Sequence, residues 1–238
     1  MTATQIDSIM QAASEALARM DYLEAEALCL EALGRARQAG DWAYYGRILL
    51  PLQECRRQRR MIAAAAGVRL GTGDIEADTC PWPATGQAGC IVVTHPHTAE
   101  TARSIEQTAR QQRRYIEVLL ADNPSSAEAW TLRSFAGPTV QCVVPAPDPS
   151  WRDRWLTPSA DEAVKQPVGP ADWFLDACEA LGDAALASVQ HPPGTEQRIA
   201  ALEQCLEVVR DHEILHQQLG QAARAMRPRE VRHDDNRP

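Results

Sequence analysis

The segment Asp211-His212-Glu213-Ile214-Leu215-His216 sets two histidines four residues apart, with a glutamate between them. On a helix this spacing puts both imidazoles on one face, where they can share a zinc ion, and Glu213 can polarise a metal-bound water. A catalytic zinc also needs a third protein ligand. Three and six residues beyond His216 stand Leu219 and Ala222, and only Glu230, His233, Asp234 and Asp235 follow as donors. A zinc-dependent hydrolase using His212, Glu213 and His216 is therefore one alternative reading; the other is a small-ligand sensor acting through the α/β insert. The main reading takes the segment as the start of an ordinary helix capped by Asp211. Its apolar stripe is Leu215, Leu219, Ala222, Ala223 and Met226, with both histidines at the border. On that reading the chain is not an enzyme and requires no metal or cofactor.

Two further constellations carry chemistry. "THPHT" (94–98) follows a β-branched run, and Asp122 closes a second strand-like run, "YIEVLLAD". In a parallel pair both fall at the carboxyl edge, so His95, His97 and Asp122 are candidates for binding a metal, an anion or a small ligand beside the next helix. "CRRQRR" (55–60) puts Arg56, Arg59 and Arg60 on neighbouring helical positions, as a clamp for a partner's carboxylates or phosphates. The competing assignment is a solvated face paired with Glu24 and Glu31. Cys80 and Cys90 lie near His95 and His97, but their spacing matches no standard structural zinc site.

The elements that must position these residues follow from periodicity. Ile6, Ile9, Met10, Ala13, Leu17 and Met20 form a helical stripe, and a second helix begins near Tyr22. Gly40 stops it, Asp41 caps the next, and Pro51 predicts a kink or break near Ile48–Leu50. Residues 68–88 hold turn formers without a period and read as a linker. "CIVVT", a helix over 98–113 and "YIEVLLAD" give a strand–helix–strand unit with a parallel pair, followed by an antiparallel hairpin across Gly137-Pro138. Six prolines over 145–170 predict irregular chain with one short helix near Trp151–Trp155. Helices resume over 170–188, 195–209 and 211–226, and a polar tail follows.

"EAEALCLEAL" (24–33) aligns with "AALEQCLEVV" (200–209), pairing Ala25 with Ala201 and Cys29 with Cys205. Beyond each copy an aspartate, Asp41 or Asp211, begins the next helix, and His212 falls on Trp42. "MDYLEAEALCLEAL", with Ala25, Cys29 and Ala32 at the packing positions and Ala13 and Ala16 ahead of it, resembles the tetratricopeptide repeat. A weaker copy has Leu181, Gly182 and Ala185 leading, then Ala201, Cys205 and Val208. The resemblance spans roughly residues 5–60 and 172–226, and implies stacked helical hairpins whose concave side binds another protein or peptide. The expected fold is mixed α/β and mainly helical. TPR-like hairpins occupy 1–67 and 151–226, a linker and small βαβ-plus-hairpin insert occupy 68–150, and a disordered tail occupies 227–238.

Bulk properties narrow the function. A net charge of −8 argues against a nucleic-acid binder. Of 24 basic residues only Lys165 is a lysine, so nearly all are guanidinium forks. The amino-terminal stretch lacks a signal-peptide pattern, and no run is long enough to span a bilayer. Seven cysteines without close pairs fit a reducing cytoplasm. These features make a cytoplasmic interaction or scaffold protein the expected function, with the oligomeric state left open by the sequence.

Overall fold

The computed structural model describes residues 3–70, 88–122, 128–151, 155–156 and 169–226. Three helices come first: α1 (Ala3–Ala18), α2 (Tyr22–Gln38) and α3 (Trp42–Ala66). The carboxylates of Asp21 and Asp41 cap α2 and α3, accepting from the backbone N–H of Glu24 at 3.2 Å and of Tyr44 at 3.0 Å. Both inter-helix turns are built alike. Met20 N–H bonds to Leu17 O and Asp21 N–H to Ala16 O, and Gly40 and Asp41 repeat the pattern on Arg37 and Ala36. This helix stop needs one left-handed residue, supplied at φ 66° by Gly40 and at φ 60° by Met20. Glycine adopts that conformation freely, whereas Met20 bears steric strain from its Cβ.

The break expected at Pro51 does not occur, because α3 runs on for 25 residues. An interior proline costs a helix about 3 kcal/mol. Burial of Tyr45, Ile48, Leu49 and Leu52 on either side of it opposes that cost.

The sheet has six strands: β1 (Val68–Leu70), β2 (Ala88–Val93), β3 (Tyr115–Ala121), β4 (Ala129–Arg133), β5 (Gln141–Pro145) and β6 (Trp155–Leu156). Their spatial order is β5-β4-β3-β2-β1-β6. Helix α4 (Ala99–Gln111) connects the parallel pair β2 and β3, and β4 with β5 forms the antiparallel hairpin. Two expectations change here. Val68–Leu70, read as linker, pairs in parallel with β2, and Ala88 already belongs to β2; residues 71–87 lie outside the described residues. Where a short helix is expected around Trp151–Trp155, a 3-10 turn spans Pro149–Trp151 and Trp155 begins β6, antiparallel to β1, while residues 152–154 lie outside the described residues. Strands of three and two residues are too short to show a period.

Helices α5 (Pro170–Ala187), α6 (Glu196–Cys205) and α7 (Glu213–Ala225) close the described chain, with α6 ending four residues before the expected 209. The tail at 227–238 lies outside the described residues. No helix among them is long and apolar enough to cross a membrane.

The protein is thus mixed α/β and mainly helical, and its packing unites both ends of the chain. Ile48 and Leu52 of α3 share one core with Ile199 and Leu202 of α6 and with Leu215 and Leu219 of α7. A second core fills one sheet face, joining Ala63 and Ala64 of α3 to Val92, Leu119, Trp173 and Phe174. On the other face Ile91, Val93, Ile116 and Leu120 pack with Ala102, Ile105 and Ala109 of α4. Covered on both faces, β2 reads in the sequence as a continuous apolar run. Helix α3 passes from the first core into the second, and its arginines sit at the crossing.

Candidate functional site

Arg56, Arg59 and Arg60 follow Leu52 and precede Ala63 at helical spacing, so they continue the inward stripe of α3. They are 5%, 2% and 4% exposed. Glu26 of α2, buried beside them, accepts from Arg56 Nε at 2.8 Å and from Arg59 Nη1. Arg59 also approaches Glu117 of β3 at 3.5 Å. Arg60 grips Asp211 with two bonds, Nε lying 2.7 Å from Oδ2, and reaches Glu179 of α5 at 3.3 Å. Arg56 Nη1 donates to Arg210 O at 3.0 Å, and Arg210 makes a two-bond pair with Glu106 of α4. Burial alone would raise the Glu26 carboxyl, but Arg59 and Arg56 outweigh it and hold the pKa at about 2.

These arginines therefore form neither of the surfaces expected of them. Glu24 pairs with Arg19 and Glu31 with Arg35, so the solvated face does not exist. Guanidinium forks already engaged inside the molecule are likewise withdrawn from a partner's carboxylates. They tie α3 to α2, to α5 and to the turn before α7, and through Arg59 to β3; the stripe running from Leu52 through Arg56 to Ala63 is the sequence signal of their burial.

The histidine pair is also turned inward. Helix α7 starts at Glu213, and its N-cap is His212, whose Nδ1 accepts from Leu215 N–H at 3.3 Å. Asp211, expected as the cap, is instead held by Arg60. His212 Nε2 lies 3.2 Å from Asp183 and 3.5 Å from Glu179. Its ring also presses on Gly182, where a Cβ would come within 2.2 Å of His212 Cδ2. His216 Nε2 donates to Arg210 O at 2.9 Å, and burial lowers its pKa to about 4. Three of the four ring nitrogens are thus engaged, and Glu213 points to solvent, accepting from Gln217 at 2.8 Å. Among the described residues no three His, Cys, Asp or Glu side chains gather into a metal-holding group. Among the described residues the zinc arrangement is not formed; Glu230, His233, Asp234 and Asp235 lie outside them.

The parallel pair does bring His95, His97 and Asp122 to one edge of the sheet. His95 is exposed in the turn after β2, where Thr98 caps α4. Asp122 pairs with Arg133 at 3.4 Å across the β3–β4 junction. The three do not form a metal-holding group. Cys80 lies outside the described residues.

What the helical layer leaves open is a groove of about 260 Å³ between α2 and α6. Leu30, Leu33 and Gly34 form one wall, Leu206 and Glu207 the other, and Leu52 and Leu219 lie between them. Arg37 pairs with Glu203 across it, and Glu203 accepts from the Tyr45 hydroxyl at 2.6 Å. Burial, then Glu203, pushes the Tyr45 pKa up, so it remains a neutral donor. Gly34 lies mid-helix on the exposed side with no neighbour within 4 Å of a built Cβ. Nothing inside the described molecule requires that glycine. Sequence reading missed this site because its walls lie more than 150 residues apart in the chain.

No protein-family model, curated protein or solved structure matches this chain.

Proposed function

We propose that the chain is a non-catalytic interaction or scaffold protein that holds a segment of another protein in the groove between α2 and α6. The observation that carries this reading is Gly34. A glycine inside an exposed helix costs about 1 kcal/mol relative to alanine, and this one meets no packing demand. It leaves a wall low enough for a partner's backbone to approach the leucine floor. On this reading α1–α2 and α5–α6 are two degenerate TPR-like hairpins, each followed by a further helix, α3 or α7. Ala13, Ala16, Ala25, Cys29 and Ala32 support the first hairpin, since each is completely buried where helices approach closely. Ala185 and Cys205 support the second, although α5 packs largely on the sheet. The six described cysteines are all free thiols, in keeping with a reducing cytoplasm as the place of action.

The test begins with a photo-crosslinking residue in place of Leu30, to capture and identify the partner. Its affinity for the unmodified protein is then compared with that of Gly34→Arg, whose side chain fills the groove from open space. The account expects binding to weaken by at least about tenfold, while the unfolding midpoint rises, because arginine is the better helix former at an open position. Undiminished binding would remove the groove from the account.

A further inference from the structure

β5 is the last strand at its end of the sheet, with β4 on one side and no further strand among the described residues on the other. Ser134 N–H bonds to Val140 O at 3.0 Å and Ala146 N–H to Glu128 O at 2.9 Å, which fixes the phase of the hairpin ladder. Antiparallel alternation then turns Val140, Cys142, Val144 and Ala146 toward β4, and the N–H and C=O of Gln141 and Val143 outward. Val143 is 70% exposed. Pro145, next in the outward series, has no N–H, and its carbonyl accepts the Trp173 indole N–H at 2.8 Å. That bond sets the α5 ring beside the strand. Between β5 and α5 opens a cleft of about 370 Å³, walled by Val143, Pro145, Trp151, Trp173, Ala177 and Ala180. Asp148 and Asp176 line it and are exposed.

An open strand edge beside a preformed apolar cleft supplies both parts of a strand-addition site, main-chain pairing and a pocket for an alternate side chain. We infer that this face binds an extended peptide segment of a partner protein, with an apolar or aromatic side chain in the cleft and a basic residue next to it. The basic residue follows from charge complementarity. Asp176 favours a cation there, and a chain of net charge −8 disfavours acidic segments. Pro145 ends the outward pairing, so the added strand is short and its register is set by the cleft. The site is independent of the α2–α6 groove and does not rest on it.

The probe is the acetylated hexapeptide Thr-Val-Phe-Lys-Val-Thr, added to the full chain while amide exchange is followed at Gln141 and Val143. Binding is expected to slow exchange at Val143 by at least about fivefold. Affinity is expected to fall at least about tenfold when the peptide carries Phe→Ser, Lys→Glu or N-methylated edge amides. Val143→Pro, which removes an outward N–H and no ladder bond, and Ala180→Trp, which fills the cleft, are expected to do the same without lowering the unfolding midpoint. The proposal is overturned if no exchange slows at about 1 mM peptide, a weak-binding limit, or if Val143→Pro binds undiminished. It is equally overturned if the Val143 amide is already protected without peptide. A dimer dissolved by Val143→Pro would assign the edge to a second copy and overturn it too.

Discussion

The arginine stretch of α3 and the groove above the same helix make an instructive pair. Both contain arginine and glutamate, and both are framed by α2. At the stretch Arg56, Arg59 and Arg60 are drawn into the molecule, with Glu26, Glu117, Asp211 and Glu179 as partners. At the groove one pair, Arg37 with Glu203, spans an opening floored by core leucines, where Leu30 and Gly34 are exposed and have no such internal employment. The comparison teaches that charge density in a sequence marks a binding surface only when burial has not already supplied the partners. Here the conspicuous Arg56, Arg59 and Arg60 hold the architecture together, and the inconspicuous Leu30 and Gly34 are left facing outward.

Breaking the first half of this comparison should give the largest effect. Arg59→Ala strands Glu26 without one of its two cations, and removing one partner of a buried pair costs about 3–5 kcal/mol. Urea unfolding measures it, with Leu30→Ala at the groove as the reference. A cost for Arg59→Ala as small as that for Leu30→Ala would show that the two regions do not differ.

Acid should act on the same junction in two windows. His216 has a folded pKa near 4, below its ordinary 6.5. Its contribution is full above pH 6.5 and is lost as pH falls from 6.5 to 4, because the unfolded chain takes up the proton first. The loss is roughly 3 kcal/mol. Glu26, held at about 2 against an ordinary 4.5, contributes fully above pH 4.5 and loses that contribution between 4.5 and 2. His216→Gln should flatten the stability curve between pH 6.5 and 4 and leave the lower window in place. An unchanged slope in the upper window would remove His216 from the explanation.

Smaller effects sharpen the picture. Gly182→Ala drives a methyl into the His212 ring and should cost about 1–3 kcal/mol, read as a lowered thermal midpoint. If it costs nothing, the close contact between α5 and the start of α7 is not a constraint. Met20→Gly should raise stability by up to about 1 kcal/mol by relieving a left-handed methionine. A loss would mean that the side chain makes up for its own strain.

Much of the architecture was legible, and the failures have physical causes. Asp41 as a cap, Gly40 as a stop and the β2–α4–β3 unit follow from local chemistry, because the groups that decide them lie within a few residues. The hairpin across Gly137 was legible for the same reason. β1 and β6 were not, since such short strands exist only through the neighbours that flank them. Asp211 and His212 exchanged roles because Arg60, some 150 residues away, claims the aspartate and leaves the imidazole to cap α7. The burial of Arg56, Arg59 and Arg60 was present in the spacing from Leu52 to Ala63, but guanidinium at those positions reads as surface until Glu26 is placed opposite. The α2–α6 groove depends on contacts between the two ends of the chain, which no local pattern records.

Hydrogen exchange of the full chain, alone and with the partner captured through position 30, tests the central claim most directly. The account predicts new protection over residues 30–37 and 203–207, with the arginine junction unchanged. Protection confined to other elements, or its absence from both walls of the groove, would contradict it.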